Sequence, residues 1–278
     1  MNKTWLITGC SSGFGRALAE QVLQRGDKLL ATARKPEQLA DMQARYPETC
    51  QVARLDVTQL PDIHAALEHV QRIFGRLDVV VNNAGYGLLG ALEEFSDEQM
   101  RRNMEVNFFG AVQVIREVLP IFRAQKSGHI INMTAAAAIS NYAGFSIYGA
   151  SKFALEGLSE SVAAEGKSLG IKVTCVEPGP FRTDFIKRSM ERAPASITDY
   201  ENTVGKFAGF LDKMDGKQPG DPTKAALAII SCVDAEVAPL RLVLGKYAID
   251  KVERSSKMRL RELETWKEVG LSADGALA

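Results

Sequence analysis

The stretch Trp5-Leu6-Ile7-Thr8-Gly9-Cys10-Ser11-Ser12-Gly13-Phe14-Gly15-Arg16-Ala17-Leu18-Ala19-Glu20 decides how the chain is read. An apolar run of strand character enters a turn holding three glycines and leaves as a segment of helical periodicity. Gly9 permits a tight turn, while Gly13 and Gly15 let backbone N–H groups at a helix N-terminus come close to an anion such as a pyrophosphate. Ser11, Ser12 and Phe14 complete the Gly-x-x-x-Gly-x-Gly spacing. Glycine-rich turns by themselves often do no more than turn, so the preceding strand and following helix carry the argument.

Outward from this unit, short aliphatic runs alternate with longer helical segments. Strands are predicted at 5–8, 29–33, 51–55, 79–81, 129–133, 173–176 and 240–244, and helices near 14–25, 37–45, 61–74, 97–119, 147–168 and 222–233. This is the pattern of an α/β, doubly wound Rossmann fold, a parallel sheet of about seven strands with helices on both faces. Residues 1–278 read as one domain. A helical flap near 184–220, rich in Phe and Met, interrupts the rhythm, and a helical extension near 247–278 follows the last strand. Ser96 and Gln99 form a capping box, with Phe95 and Met100 at the staple positions, which sets the start of the helix carrying Asn107.

Composition narrows the function. The 34 basic and 34 acidic residues cancel, leaving no global field to draw nucleic acid or an anionic membrane. No apolar run approaches the roughly 20 residues of a membrane helix, and the glycine turn comes too early for a signal peptide, so a cytoplasmic protein is expected. Cys10, Cys50, Cys175 and Cys232 form no CxxC pair, and His64, His69 and His129 have no ligand spacing. No metal is expected.

At the end of the second strand stands Ala33-Arg34-Lys35, where a carboxylate would bond the ribose hydroxyls of NAD. A guanidinium holds a 2′-phosphate instead, so NADP(H) is predicted to be preferred over NAD(H). Asp56, followed by Val57, is placed either to accept from the adenine amino group or to cap a loop. Asn82-Asn83-Ala84-Gly85 sets small residues beside another strand end. Tyr148 and Lys152, four apart, share a helix face. At about 4–5 Å and an effective dielectric near 20, the ammonium favours the phenolate by roughly 3–4 kcal/mol. Tyr148 thereby becomes a candidate general acid and base.

Thr8-Gly9 through Gly15, Asn82-Asn83-Ala84-Gly85, Asn107, Tyr148-Gly149-Ala150-Ser151-Lys152, and Pro178-Gly179 followed by Thr183 together resemble the classical short-chain dehydrogenase/reductase family, to about Leu244. The resemblance implies an oxidoreductase interconverting a ketone or aldehyde and an alcohol, with a small-molecule substrate. It gives Tyr148 the proton transfer and Lys152 the nicotinamide ribose. Asn107 would hold a relay water near Lys152, and Pro178, Gly179, Phe181 and Thr183 would seat the carboxamide end of the nicotinamide. A homodimer or homotetramer is implied as well, paired through the helices at 97–119 and 147–168, with Val112, Ile115, Leu155 and Leu158 in or near the interface.

One position departs from the family. Its serine, thirteen residues before the tyrosine, is replaced by Ala135. An alanine donates no hydrogen bond, and losing one oxyanion donor costs about 2.7–4 kcal/mol. Three readings stay open: an inactivating replacement; a substitute donor among Thr134, Ser140, Asn141 and Ser146; or a cofactor-binding sensor or scaffold without catalysis. The apolar flap points to a bulky apolar substrate.

Overall fold

Side-chain alternation along the strands builds two cores. Trp5 and Ile7, Leu29 and Ala31, and Val79 and Val81 pack on one face, while Leu6, Leu30 and Val80 between them pack on the other. A strand buried on both faces needs helices on both, and the chain supplies them by alternation. The computed structural model describes residues 2–275, so Met1 and residues 276–278 of the expected extension lie outside the described residues. The first half runs β1 (Thr4–Ile7), α1 (Gly13–Gln24), β2 (Lys28–Ala33), α2 (Ala40–Arg45), β3 (Cys50–Arg54), α3 (Leu60–Phe74) and β4 (Val79–Asn82). Then follow β5 (Gly87–Leu89), α4 (Asp97–Met104), α5 (Gly110–Gln125), β6 (Gly128–Met133), α6 (Ser146–Gly166) and β7 (Ile171–Pro178). The chain closes with α7 (Phe185–Arg188), β8 (Met190–Arg192), α8 (Lys206–Met214), α9 (Pro222–Asp234), β9 (Arg241–Leu244) and α10 (Lys246–Leu271).

Seven strands form a parallel sheet in the order β3-β2-β1-β4-β6-β7-β9. The chain goes outward from β1 to β3, returns to β4 beside β1, and continues the other way. This reversal opens a crevice at the carboxyl ends of β1 and β4. Helices α1 and α9 cover one face, and α3, α5 and α6 contribute to the other. No helix among the described residues is long and apolar enough to cross a membrane, and no group of three or more His, Cys, Asp or Glu is placed to hold a metal ion.

The structure corrects several expectations. The single helix predicted at 97–119 is divided by a π turn at Glu105–Phe109, and its last part passes Pro120 to end at Gln125. Tertiary packing overrides the proline: Pro120 faces solvent, while Phe122 is fully buried against the backbone of Gly128, where a Cβ would stand 2.1 Å from the ring. The flap is less helical than expected, because β8 pairs with β5 in a separate two-stranded ribbon. Ile115 and Leu155, expected at a subunit interface, are buried within the chain's own core. The outward apolar groups on those helices are Phe109 and Phe153, with Val112 and Leu158 half-buried. The capping box holds: Ser96 N donates to Gln99 Oε1 at 3.0 Å and Gln99 N to Ser96 Oγ at 3.2 Å.

At the far edge of the sheet, Glu177 on β7 and Glu156 on α6 are buried near one cation, Arg241 on β9. Arg241 Nε lies 3.0 Å from Glu156 Oε2 and 3.8 Å from Glu177 Oε1, and the same guanidinium also binds Glu160. Burial, then the charge of Glu156, pushes the Glu177 carboxyl up to about 7 against the opposing pull of Arg241. A carboxyl raised in the folded chain contributes stability that is full below its unfolded value and lost as pH rises through the folded one. Thermal stability should therefore decline between about pH 5 and pH 8, and Glu177→Gln should flatten that decline. Melting curves of both proteins across this range check it; parallel slopes would remove Glu177 as the cause.

Candidate active site

The glycine turn after β1 is built by contacts that leave no room for side chains. Gly9 and Gly13 have φ of 72° and 58°, in the left-handed region that favours glycine. Gly15 serves otherwise: a Cβ there would stand 2.3 Å from the Gly9 carbonyl oxygen and 2.4 Å from Asn83 Nδ2. Asn83 ties this turn to the end of β4, donating from Nδ2 to the carbonyls of Thr8 (2.8 Å) and Gly9 (3.0 Å). The backbone N–H groups of Asn83 and Ala84 both donate to Thr8 Oγ1, at 2.9 and 3.0 Å. Ser12 caps α1 without a side-chain hydrogen bond, so the first-turn amides keep their capacity for an anion.

The crevice widens into a cleft of about 1230 Å³. Gly9, Ser11, Ser12, Gly13, Phe14, Arg34, Asp56, Val57, Asn83, Ala84 and Gly85 line it, whereas Gly15 lies behind the turn. Arg34 is exposed and makes no ion pair among the described residues. Asp56 Oδ1 accepts from Thr58 N (3.0 Å) and Thr58 Oγ1 (2.8 Å), which is the loop-capping alternative, and its other oxygen stays available. Close-approach glycines, helix-terminal amides and a guanidinium at the second strand form a donor set that fits a phosphorylated dinucleotide.

At the other end, α6 presents Tyr148 and Lys152. The Tyr148 ring packs between Phe145, edge-on at 5.0 Å, and Phe185 at 5.8 Å. Lys152 Nζ sits 5.9 Å from the Tyr148 ring centre and donates to the Met133 carbonyl at 2.8 Å. Burial raises the Tyr148 phenol above its ordinary value and lowers Lys152 to about 8. These burial shifts run opposite to the lowering of Tyr148 expected from helix spacing. Both groups are desolvated, which favours the neutral form of each.

Asn107 lies in the π turn, one layer behind the cleft. Its Oδ1 accepts from Tyr86 N at 2.9 Å and its Nδ2 donates to Tyr86 O at 2.8 Å, with Ser151 Oγ of α6 at 3.3 Å. A Cβ at Gly85 would meet Asn107 Oδ1 at 2.9 Å and Lys152 Nζ at 3.7 Å, so these three residues converge. Pro178, Gly179, Phe181 and Thr183 line the cleft after β7. Gly179 N donates to Leu244 O at 3.0 Å, Thr183 N to Phe181 O at 2.8 Å, and Phe181 packs 5.2 Å from Phe14.

Ala135 has extended backbone and sits in an apolar wall with Leu88, Leu89, Phe145, Ile186 and Leu211. None of the substitute donors weighed from sequence replaces it. Thr134 reaches the cleft but donates its hydroxyl to Val176 O at 2.9 Å, while Ser140, Asn141 and Ser146 do not line the cleft. The hydroxyl that sequence reasoning missed is Tyr86, which lines the cleft and has a buried, unpartnered oxygen. Its position directly after Asn-Asn-Ala-Gly was the available signal. Tyr142 and Tyr247 were missed too. Tyr142 stacks on Phe207 at 5.0 Å, and its hydroxyl bonds that of Tyr247 at 3.0 Å. That contact depends on α10 folding back beside the cleft, which no local pattern announces.

Comparison with known proteins agrees with this arrangement. The short chain dehydrogenase family model matches residues 3–193. The oxidoreductase BOA17 of Botryotinia fuckeliana (strain B05.10) is 38% identical over 274 residues, covering 98% of this chain and 100% of that protein. A short-chain dehydrogenase from Streptomyces avermitilis has a similar solved structure, with a TM-score of 0.93 and 40% identity over 99% of this chain and 100% of its own. The closed form of serine dehydrogenase complexed with NADP+ has a TM-score of 0.74 at 26% identity, covering 87% of this chain and 94% of that one. A model matched over most of the length, and a relative matched from end to end, mean that the chain belongs to the short-chain dehydrogenase/reductase family of oxidoreductases.

Proposed function

We propose that this oxidoreductase is an NADP(H)-dependent enzyme interconverting a bulky apolar ketone or aldehyde and its alcohol, with its rate held down by Ala135. The observation that carries the reading is the meeting, in one cleft, of the Tyr148/Lys152 face of α6 with an amide-rich glycine turn and the free guanidinium of Arg34. When bound, the nicotinamide supplies or accepts the hydride. Tyr148 gives its phenolic proton to the carbonyl oxygen in reduction and takes it back in oxidation. Lys152 places a positive charge where the phenolate develops, and Asn107 fixes the Tyr86 peptide and with it the floor beside Lys152. The aromatic lining of Tyr142, Phe145, Phe185 and Phe207 favours an apolar substrate and excludes water from the reacting end. Phe109 and Phe153, outward on the paired-helix surface, support a homo-oligomer. A cofactor-binding protein without catalysis is the second reading, favoured by Ala135.

Replacing Arg34 by Ala should weaken NADPH binding by roughly 10- to 100-fold, the value of a hydrogen bond to a charged group, and leave NADH binding nearly unchanged. Fluorescence titration of both cofactors measures this. Equal losses for the two would show that Arg34 does not read the 2′-phosphate.

Ala135→Ser should raise the single-turnover rate of hydride transfer by roughly 100- to 1,000-fold, since it restores one donor to the developing oxyanion. Cofactor affinity should stay constant, because the glycine turn and Arg34 do not touch this position. A serine variant that binds NADPH normally but gains nothing on a panel of apolar ketones would favour the non-catalytic reading.

A further inference from the structure

Helix α10 is anchored only at its base. Ala248 and Ser255 are buried, Lys251 Nζ lies 3.2 Å from the centre of the Tyr142 ring, and Tyr247 lines the cleft. From Ser256 to the last described residue every position is exposed. Six of them are large and apolar: Leu260, Leu263, Trp266 and Leu271, which are 64%, 63%, 65% and 54% exposed, share one side of the helix, and Met258 and Val269 lie toward the other. Such a surface is unusual on a free helix.

Beside it runs a stripe of charge. Lys257, Arg261, Glu264 and Glu268 stand at i, i+4, i+7 and i+11, which brings them onto one face. The stripe reads basic, basic, acidic, acidic. Within the stripe the i,i+4 neighbours, Lys257 with Arg261 and Glu264 with Glu268, carry like charges, and only Arg261 and Glu264, three apart, are of opposite sign. None of the four is in an ion pair among the described residues.

A second copy of the same helix resolves this if it runs antiparallel. With the crossing placed between Glu262 and Leu263, Lys257 of one copy faces Glu268 of the other, Arg261 faces Glu264, and the two Leu263 side chains lie next to each other. Parallel pairing would set like against like along the whole stripe. The pattern is therefore self-complementary only about a two-fold axis, which is the requirement for a closed homodimer contact. We propose that α10 is an oligomerisation helix, pairing antiparallel with α10 of a second copy through Leu260, Leu263, Trp266 and Leu271, in a register set by the basic and acidic halves of its charge stripe. Because the base of the same helix carries Tyr247 and Lys251, the pairing also steadies the outer wall of the cleft. The inference does not depend on which substrate or cofactor the cleft takes.

The full-length protein tests it directly. Its four cysteines are all buried, so a single introduced surface thiol is the reactive one. Leu263→Cys should form a covalent dimer on mild oxidation. Lys257→Cys alone should not, since its two copies would lie about 16 Å apart along the helix axis, but it should join to Glu268→Cys when the two variants are mixed. In light scattering, the doubly reversed variants K257E/R261E and E264K/E268K should each lose one two-fold step of mass, and an equimolar mixture should recover it. Unchanged melting curves for both would show that the chain itself stays folded. Three results would overturn the proposal: no cross-linking at any of these positions, Lys257→Cys joining to itself as readily as Leu263→Cys, or reversed variants that keep the parent mass.

Discussion

The cleft exists because two backbone segments come within van der Waals distance at position 15. The first turn of α1 lies on the Gly9 carbonyl so closely that a methyl group would collide with it, and with the amide of Asn83 beyond. That contact fixes the angle at which α1 leaves β1, and hence where its N-terminal amides point. Asn83 makes the arrangement rigid by binding the Thr8 and Gly9 carbonyls from the next strand. Charge attraction plays no part in holding this turn. Hydrogen bonds from the backbone to the Thr8 hydroxyl, and from the Asn83 amide to the backbone, set it and leave the first-turn amides of α1 unspent.

Much of this was legible in the sequence because it is local. Strand and helix periods, the glycine spacing, the Ser96/Gln99 box and the Tyr148/Lys152 spacing each depend on a few neighbouring residues, and all seven strands of the parallel sheet appear within two residues of their expected bounds. What escaped is non-local. The π turn around Asn107 inserts an irregularity that periodicity does not register, and the β5–β8 ribbon joins two three-residue strands about a hundred residues apart. The helix expected to end at 119 runs on through Pro120 to Gln125, with Phe122 packed against Gly128. Tyr86, Tyr142 and Tyr247 entered the cleft only once their elements were folded against α6 and the flap.

The electrostatics of the reacting end show the same division. Spacing alone gives the sign of the Lys152 effect on Tyr148, but not its competitor. Burial raises the phenol and lowers the amine together, so each side chain by itself leans toward its neutral form. Beside them, the Ala135 side chain carries no hydrogen-bond donor. The apolar neighbours of Ala135 offer nothing in compensation, since the nearest hydroxyl in sequence, Thr134, is committed to the Val176 carbonyl.

The Tyr142–Tyr247 contact bears on the order in which the molecule is assembled. Synthesis proceeds from the N-terminus, and the glycine turn and the Asn83 side chain that ties it to β4 both lie in the first third of the chain. The outer wall of the cleft waits for the far end of the chain, because Tyr247 belongs to a helix that follows the last strand. The residues of the glycine turn are therefore made long before Tyr247, so the two ends of one cleft are drawn from opposite ends of the chain.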